Sequence, residues 1–436
     1  MKRIAMKRRF DRRLEFAVLV LLLCAMSSTP VRAEPGEASD PQLQALLAEA
    51  LRNNPEIRAA GNELEAAQQR VSPAGALDDP MLEAGVVNAP LASQPFRRED
   101  MTMKMLGLSQ RFPYPGKRGL RQDIAAKDAE SVSYAYQETV NRVARDVKAA
   151  SFELAFVAES ARLVEKNKQI LEQFLKISES RYAVGHGNQA DVLKAQTELS
   201  RMVDELIRLA RERQAIEAEL ARALGRESDV ALPAPAPLRL PETALPFESL
   251  RETALSERPQ LLALKSLIDR SARALELARR DYYPDFEVKL AYGQREDTLN
   301  GMPRDDMVSL MVAVNLPVWR QNKRDPQVAE AIAMRNQATD MYQAQQNEVS
   351  SQLRQQVANA EQSLKSARLY ETGVLPQARL TVESSLAAYR VNRVDFLTLL
   401  DNQMTVFDYE VSYTAALSNY NKALAEIDLL TGRTPF

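Results

Sequence analysis

The sequence predicts a mainly α-helical protein with a small transmembrane β part, in which one helix-strand-strand-helix-helix unit is used twice. Three observations carry that prediction. The chain matches itself at a shift of 204 residues: Asn53-Asn54-Pro55 answers Glu257-Arg258-Pro259, Asp79-Pro80 answers Tyr283-Pro284, and Phe112-Pro113 answers Leu316-Pro317. Farther along the shift becomes 207, so that Tyr182-Ala183-Val184 answers Tyr389-Arg390-Val391 and Leu224-Gly225-Arg226 answers Thr431-Gly432-Arg433. Such a period far exceeds the ~20 to 50 residues of a solenoid repeat, so it marks one structural unit duplicated within a subunit. Secondly, glycine is scarce, 14 in 436 residues, and long stretches of Ala, Glu, Leu, Gln and Arg favour extended helices. Thirdly, short segments in each repeat alternate apolar with polar or small residues over about ten positions, the length and pattern of a tilted membrane-spanning strand.

Residues 1–33 read as a secretory signal peptide. Lys2, Arg3, Lys7, Arg8, Arg9, Arg12 and Arg13 precede an apolar run from Phe16 to Met26, and Val31-Arg32-Ala33 offers a small-residue cleavage site. The run is shorter than the ~20 residues that span a bilayer. Cys24, the only cysteine, lies inside it behind Leu23, where lipidation would need a small residue. The mature chain then holds no cysteine, which excludes a disulfide framework, a thiolate metal site and a cysteine nucleophile.

The first repeat covers residues 34–226. Leu43, Leu46, Leu47, Ala50 and Leu51 recur at helical steps, predicting one helix over 41–72. Strands are expected at about 80–90 and 101–113, then helices over 117–182 and 188–224. In the longer helix Val143, Val147, Ala150, Leu154, Val157, Ala161 and Val164 alternate by fours and threes; after an interruption at Lys168 the phase resumes at Leu171, Leu175, Ser178 and Tyr182. That heptad seam predicts side-by-side packing along a helix of roughly 100 Å. Residues 227–247, with Leu232-Pro233-Ala234-Pro235-Ala236-Pro237, form a stiff linker.

The second repeat covers residues 248–433, with strands at about 284–294 and 306–317. Phe286, Val288, Leu290 and Tyr292 alternate with Asp285, Glu287, Lys289 and Ala291, and Val308, Leu310, Val312, Val314 and Leu316 with Met307, Ser309, Met311, Ala313 and Asn315. Phe112, Tyr114, Tyr282, Tyr283 and Trp319 gather at strand ends, where an interfacial girdle belongs. Four strands cannot close a barrel and lipid does not tolerate an open edge, so the subunit must oligomerise.

A net charge of −2 gives no global basic field for nucleic acid. No nucleophile–base pairing, phosphate loop or metal-spaced cluster is visible, so neither catalysis nor a cofactor is expected. His186, the only histidine, sits between two glycines and reads as a turn residue rather than a metal ligand. The Met101, Met103, Met105 stripe reads as barrel surface.

The signal peptide, the duplicated unit, the prolines at strand boundaries and the paired Tyr182-Ala183-Val184-Gly185 and Tyr389-Arg390-Val391-Asn392 segments together resemble the outer membrane efflux protein family typified by TolC. The resemblance spans about residues 40–433. It implies a homotrimer whose twelve strands form one outer membrane β-barrel, continued by a long periplasmic α-helical barrel. It also implies a passive role beside a periplasmic adaptor and an inner-membrane pump. The Phe112-Pro113-Tyr114-Pro115-Gly116-Lys117-Arg118 stretch resembles channels paired with heavy-metal exporters of the resistance-nodulation-division class. Within the family the two long-helix turns form a periplasmic tip, which implicates Val184, Gly185, Val391 and Asn392 in adaptor contact. Asn188 and Asp395 stand at equivalent helix starts, where Asn and Asp cap best. Asp401 matches an acidic position near the narrow end of the tunnel, where three copies would form a carboxylate ring; with Asp395 it is the candidate gate and selectivity residue. Two other classes stay open on sequence: a periplasmic adaptor, and a structural coiled-coil protein of the envelope.

Overall fold

The computed structural model describes residues 40–90, 95–227, 232–240 and 244–433. They fall into two units, one ending at Gln44 and one spanning Ala45–Phe436. The described part of the first is only the opening of a helix; the sheet and the long helices all belong to the second. The expected signal peptide, Cys24 and linker residues 228–231 and 241–243 lie outside the described residues.

In chain order the elements are α1 (Pro41–Asn53), α2 (Pro55–Ala74), β1 (Met81–Val87), β2 (Met103–Phe112), α3 (Lys117–Ala183), α4 (Gln189–Leu224), α5 (Phe247–Glu257), α6 (Pro259–Arg280), β3 (Phe286–Gln294), β4 (Met307–Val314), α7 (Asp325–Leu369), α8 (Leu375–Arg390) and α9 (Phe396–Leu430). Pro95–Arg98 adds a single helical turn between the first two strands.

The single helix expected over 41–72 is two helices. Pro55 lacks an N–H and crowds its predecessor out of the helical region. Asn54 accordingly takes an extended backbone (φ −65°, ψ 125°), and its side chain accepts from the N–H groups of Glu56 at 2.7 Å and Ile57 at 3.2 Å. The second repeat breaks in the same way at Arg258 (φ −61°, ψ 122°) before Pro259, without a side-chain cap of its own. Glu138 from α3 serves instead: one carboxylate oxygen pairs with Arg258 at 3.0 Å and the other accepts from the Gln260 N–H at 3.3 Å. Against each break rests a left-handed glycine. Gly225 (φ 72°) ends α4 and Gly432 (φ 70°) follows α9; a Cβ would come within 2.5 Å of the Asn53 carbonyl in one case and 2.8 Å of the Glu257 carbonyl in the other. The duplicated Leu-Gly-Arg and Thr-Gly-Arg triplets therefore seat each closing helix on the kink that opens its own repeat.

The four strands form one antiparallel sheet in the order β1-β2-β3-β4, with β1 and β4 as edges. Register puts Leu82, Leu108, Leu290 and Leu310 in one cross-strand row, and Ala84, Leu106, Tyr292 and Val308 in the next. This face is apolar and exposed. The opposite face carries Glu83, Ser109, Arg111, Glu287 and Lys289, with an ion pair between Lys289 and Glu83. The charged face of a barrel wall looks inward and the apolar face meets lipid. Met103 and Met105, expected at the barrel surface, lie on its charged, inward side.

Helix α3, 67 residues long, packs against α2, α4, α6 and α9. Of its expected seam, Val143, Val147, Ala150, Leu154, Val157, Val164, Leu171 and Ser178 are buried, Ala161 and Leu175 are half-buried, and Tyr182 is exposed at the helix end. The interruption beside Lys168 is filled by Asn167, which is buried, accepts from Gln403 at 2.9 Å and points its amide nitrogen at the Met202 sulfur. A paired polar group inside such a seam favours one register over its neighbours.

Helices α7 and α8 are one continuous run interrupted by a π-turn at Tyr370–Val374; a second π-turn, Arg320–Arg324, precedes α7. Pro376 accounts for the first, since in an α-helix its ring would strike the carbonyl of Thr372. The turn reads directly onto the repeat. Buried Val143, Val147, Leu154 and Val157 of α3 answer buried Val349, Leu353, Ala360 and Ser363 of α7 at a shift of 206. Past Tyr370–Val374 the shift is 207, as one extra residue per π-turn requires.

One apolar cluster lies where α5, α6, α7 and α9 meet, around Leu250, Leu261, Leu353, Tyr420 and Ile427. Linker residues Leu238 and Leu240 pack on neighbouring positions, and Asn421 donates to the Arg239 carbonyl at 2.9 Å.

Candidate functional site

The two long hairpins, α3–α4 and α8–α9, turn at the end of the helices remote from the sheet. Each turn must bend the chain back within a few residues. In the first, Gly185 takes φ 75°, its N–H bonds the Tyr182 carbonyl at 3.1 Å and the His186 N–H reaches Arg181 at 2.9 Å. In the second, Asn392 takes φ 58°, its N–H bonds Tyr389 at 3.2 Å and the Arg393 N–H reaches Ala388 at 2.9 Å. These are matching helix ends with a left-handed residue. Glycine adopts that backbone freely; asparagine is among the few side chains that tolerate it. Val184 and Val391 are both about two-thirds exposed, so each turn presents an aliphatic knob beside its left-handed residue.

The next helices start where expected. Asn188 accepts from the Ala190 N–H at 3.2 Å and Asp395 from the Thr398 N–H at 2.7 Å. The Thr398 hydroxyl and amide hold the Asp395 carboxyl below the usual carboxylate range, so it caps as an anion. Asp401, farther along α9, is exposed, and among the described residues its carboxylate has no ion-pair or hydrogen-bond partner.

One residue that joins the two turns was not anticipated. Arg181 donates to the Tyr389 carbonyl at 2.8 Å and to Asn392 Oδ1, and its guanidinium lies over the Tyr389 ring, 4.4 Å from the centroid. Its counterpart at the 207 shift is Ala388, so the clamp is one-sided. A break in internal symmetry beside the repeated tyrosines Tyr182 and Tyr389 was the available signal.

At the other end of α3, Phe112-Pro113-Tyr114-Pro115-Gly116-Lys117-Arg118 turns the chain from sheet to helix. Lys117 is only 2% exposed; its Nζ reaches Asp285 at 2.9 Å, Asp281 at 3.1 Å and the Tyr283 carbonyl at 3.1 Å. Tyr114 stacks on Tyr283 with ring centroids 4.6 Å apart, and the Tyr114 N–H donates to Asp285. Gly116 (φ 89°) leaves space that the Arg280 guanidinium fills on its way to the Pro115 carbonyl at 2.8 Å. This stretch is thus the joint that locks the first long helix under the third strand.

Among the described residues no helix is long and apolar enough to cross a membrane, and no cluster of His, Cys, Asp and Glu could hold a metal ion. The sheet has an exposed apolar face and two unpaired edges, β1 and β4.

Comparison with known proteins agrees with this geometry. Residues 46–226 match the family model described as outer membrane efflux protein. The cobalt-zinc-cadmium resistance protein CzcC of Cupriavidus metallidurans is 25% identical over 405 residues, 92% of each chain. The outer membrane efflux protein BepC of Brucella suis is 22% identical, over 72% of this chain and 68% of its own. Among solved structures, the outer membrane protein VceC of Vibrio cholerae superposes with a TM-score of 0.76 at 18% identity, covering 90% of this chain and 96% of that one.

A strand quartet with unpaired edges, carried on long helical hairpins, is the fold this chain shares with solved outer membrane channels. The first repeat carries the outer membrane efflux protein pattern over residues 46–226, and the chain as a whole shares the fold of solved outer membrane channels. Four strands with two unpaired edges do not close a barrel, so the sheet requires strands from further copies.

Proposed function

We propose that this channel releases heavy-metal cations delivered by a pump of the resistance-nodulation-division class. The observation that carries the reading is the alignment with a cobalt-zinc-cadmium resistance protein along 92% of both chains. The joint built by Phe112–Arg118 residues, singled out on sequence for the same subgroup, adds weight. In this reading residues 1–33 are removed on export, the repeats span 34–226 and 248–433, and the adaptor seats on Val184, Gly185, Val391 and Asn392. Asp401 supplies a threefold ring of carboxylates that favours cations at the narrow end. Asp395 assists by fixing the start of the helix that carries Asp401.

A strain lacking the gene, challenged with metal salts, dyes and antibiotics, tests the substrate. Sensitivity confined to metal salts is the expected result. Sensitivity to dyes and antibiotics with normal metal tolerance would remove metal export.

A further inference from the structure

The strands contain five methionines, Met81, Met103, Met105, Met307 and Met311, and all five project from the inward, charged face of the sheet. The opposite face holds no methionine: it is built mainly from Leu, Val, Phe and Tyr, with Lys104, Gln110 and Gln294 among them. Hydrophobic burial does not explain that segregation, because a residue chosen for apolarity gains most on the lipid side of the wall. On a wet inner wall, methionine contributes a polarisable thioether, a ligand type that selects soft metal ions.

Local packing is arranged around these sulfurs. One cross-strand row reads Gly85, Met105, Gly293, Met307, so each thioether in it is flanked by a glycine that leaves room. The Met103 sulfur lies against Gly293, where any Cβ would collide with it. Around the threefold axis the group Met103, Met105, Met307 recurs three times in one lumen. The charges nearby, Glu83 and Lys289, are paired with each other and leave the wall close to neutral. Neutral donors bind a monovalent soft cation without trapping it, as an exit path requires.

We propose that the inner wall of the barrel is a transit site for thiophilic monovalent cations, Cu(I) and Ag(I), with Met103, Met105 and Met307 as donors. The inference rests on the metal-export reading and narrows it toward softer ions than zinc or cobalt. Thioethers carry no proton, so occupancy of this site does not change with pH, unlike a carboxylate or imidazole site.

The test uses the intact trimer in detergent, thiol-blocked and chloride-free, titrated with silver nitrate at pH 5 and pH 7.5 and examined by X-ray absorption at the silver edge. Sulfur neighbours, equal affinity at both pH values and at least tenfold weaker binding in M103L/M105L/M307L are expected. Only oxygen or nitrogen neighbours, or wild-type binding in the triple variant, would overturn the site. The absorption spectrum of the wild-type trimer decides the matter even if the variant fails to assemble. Because binding is read without pump or adaptor, a silver site in the trimer of a strain whose deletion leaves metal tolerance intact would sink the export reading and keep the site. Metal sensitivity with no sulfur-bound silver would do the reverse.

Discussion

Gly185 and Asn392 hold the same left-handed backbone by different means. Gly185 has open space around its missing Cβ, so only its φ of 75° excludes other residues, at about 1–2 kcal/mol for a replacement. That strain is local, and Gly185→Trp should abolish export while trimer abundance in the outer membrane stays normal; normal export would move the adaptor contact elsewhere. Asn392 is instead held by Arg181. Asp401→Ala should raise conductance or weaken cation preference in planar bilayers, because the carboxylate is exposed and unengaged. If conductance and selectivity both stay put, Asp401 is not part of the gate. The turns and their caps were readable from residue type, whereas Asp401 stood out only through the family resemblance. Arg181 was not readable, since an arginine four residues before a glycine turn has no pattern of its own and acts on a segment some 200 residues away.

At the scale of elements, the alternating strands and the seam of the long helix were legible because their periods of two and three-and-a-half survive any tertiary setting. The kink at Asn54 and its partner at Arg258 were written in the following prolines, yet helical periodicity on both sides masked them. The two kinks should respond differently to mutation. Asn54→Ala removes a cap and should cost about 1 kcal/mol of thermal stability. Glu138→Ala strips the partner from an Arg258 side chain that is 7% exposed and should cost about 3 kcal/mol or more. Equal melting shifts of the two trimers would contradict this account of the second repeat. A further pair at the first kink, Glu49 with Arg226 at 2.5 Å, sets an acid dependence. The Arg226 hydrogen bonds hold the Glu49 carboxyl below its usual range. A depressed folded value stabilises above the unfolded pKa of about 4.3 and is lost as pH falls through the folded one. Acidification below about pH 4.3 should therefore lower the wild-type midpoint, and Glu49→Gln should flatten that slope.

For the whole molecule, the decisive quantity is which side of the sheet meets lipid, and two adjacent residues of β4 report it. Val312, 62% exposed, belongs to the apolar face, whereas Ala313 pairs with Glu287 on the charged face. Val312→Arg should oppose membrane assembly by about 2–4 kcal/mol, and Ala313→Arg should leave heat-modifiable trimers on gels while altering conductance. The reverse ranking would turn the wall inside out. Oligomerisation followed from strand number alone, but the buried Lys117 joint did not, because its acids Asp281 and Asp285 come from the other repeat.

The π-turn at Tyr370–Val374 bears on how two halves of one gene can drift apart in length without losing their common end. Adding a single residue to an ordinary helix turns everything beyond it by about 100°. Here the added residue is swallowed in one loose coil, and Tyr389 still arrives opposite Arg181. Removing one residue at that level should leave the hairpin intact, whereas the same deletion a few turns farther on would swing Val391 out of line with Val184.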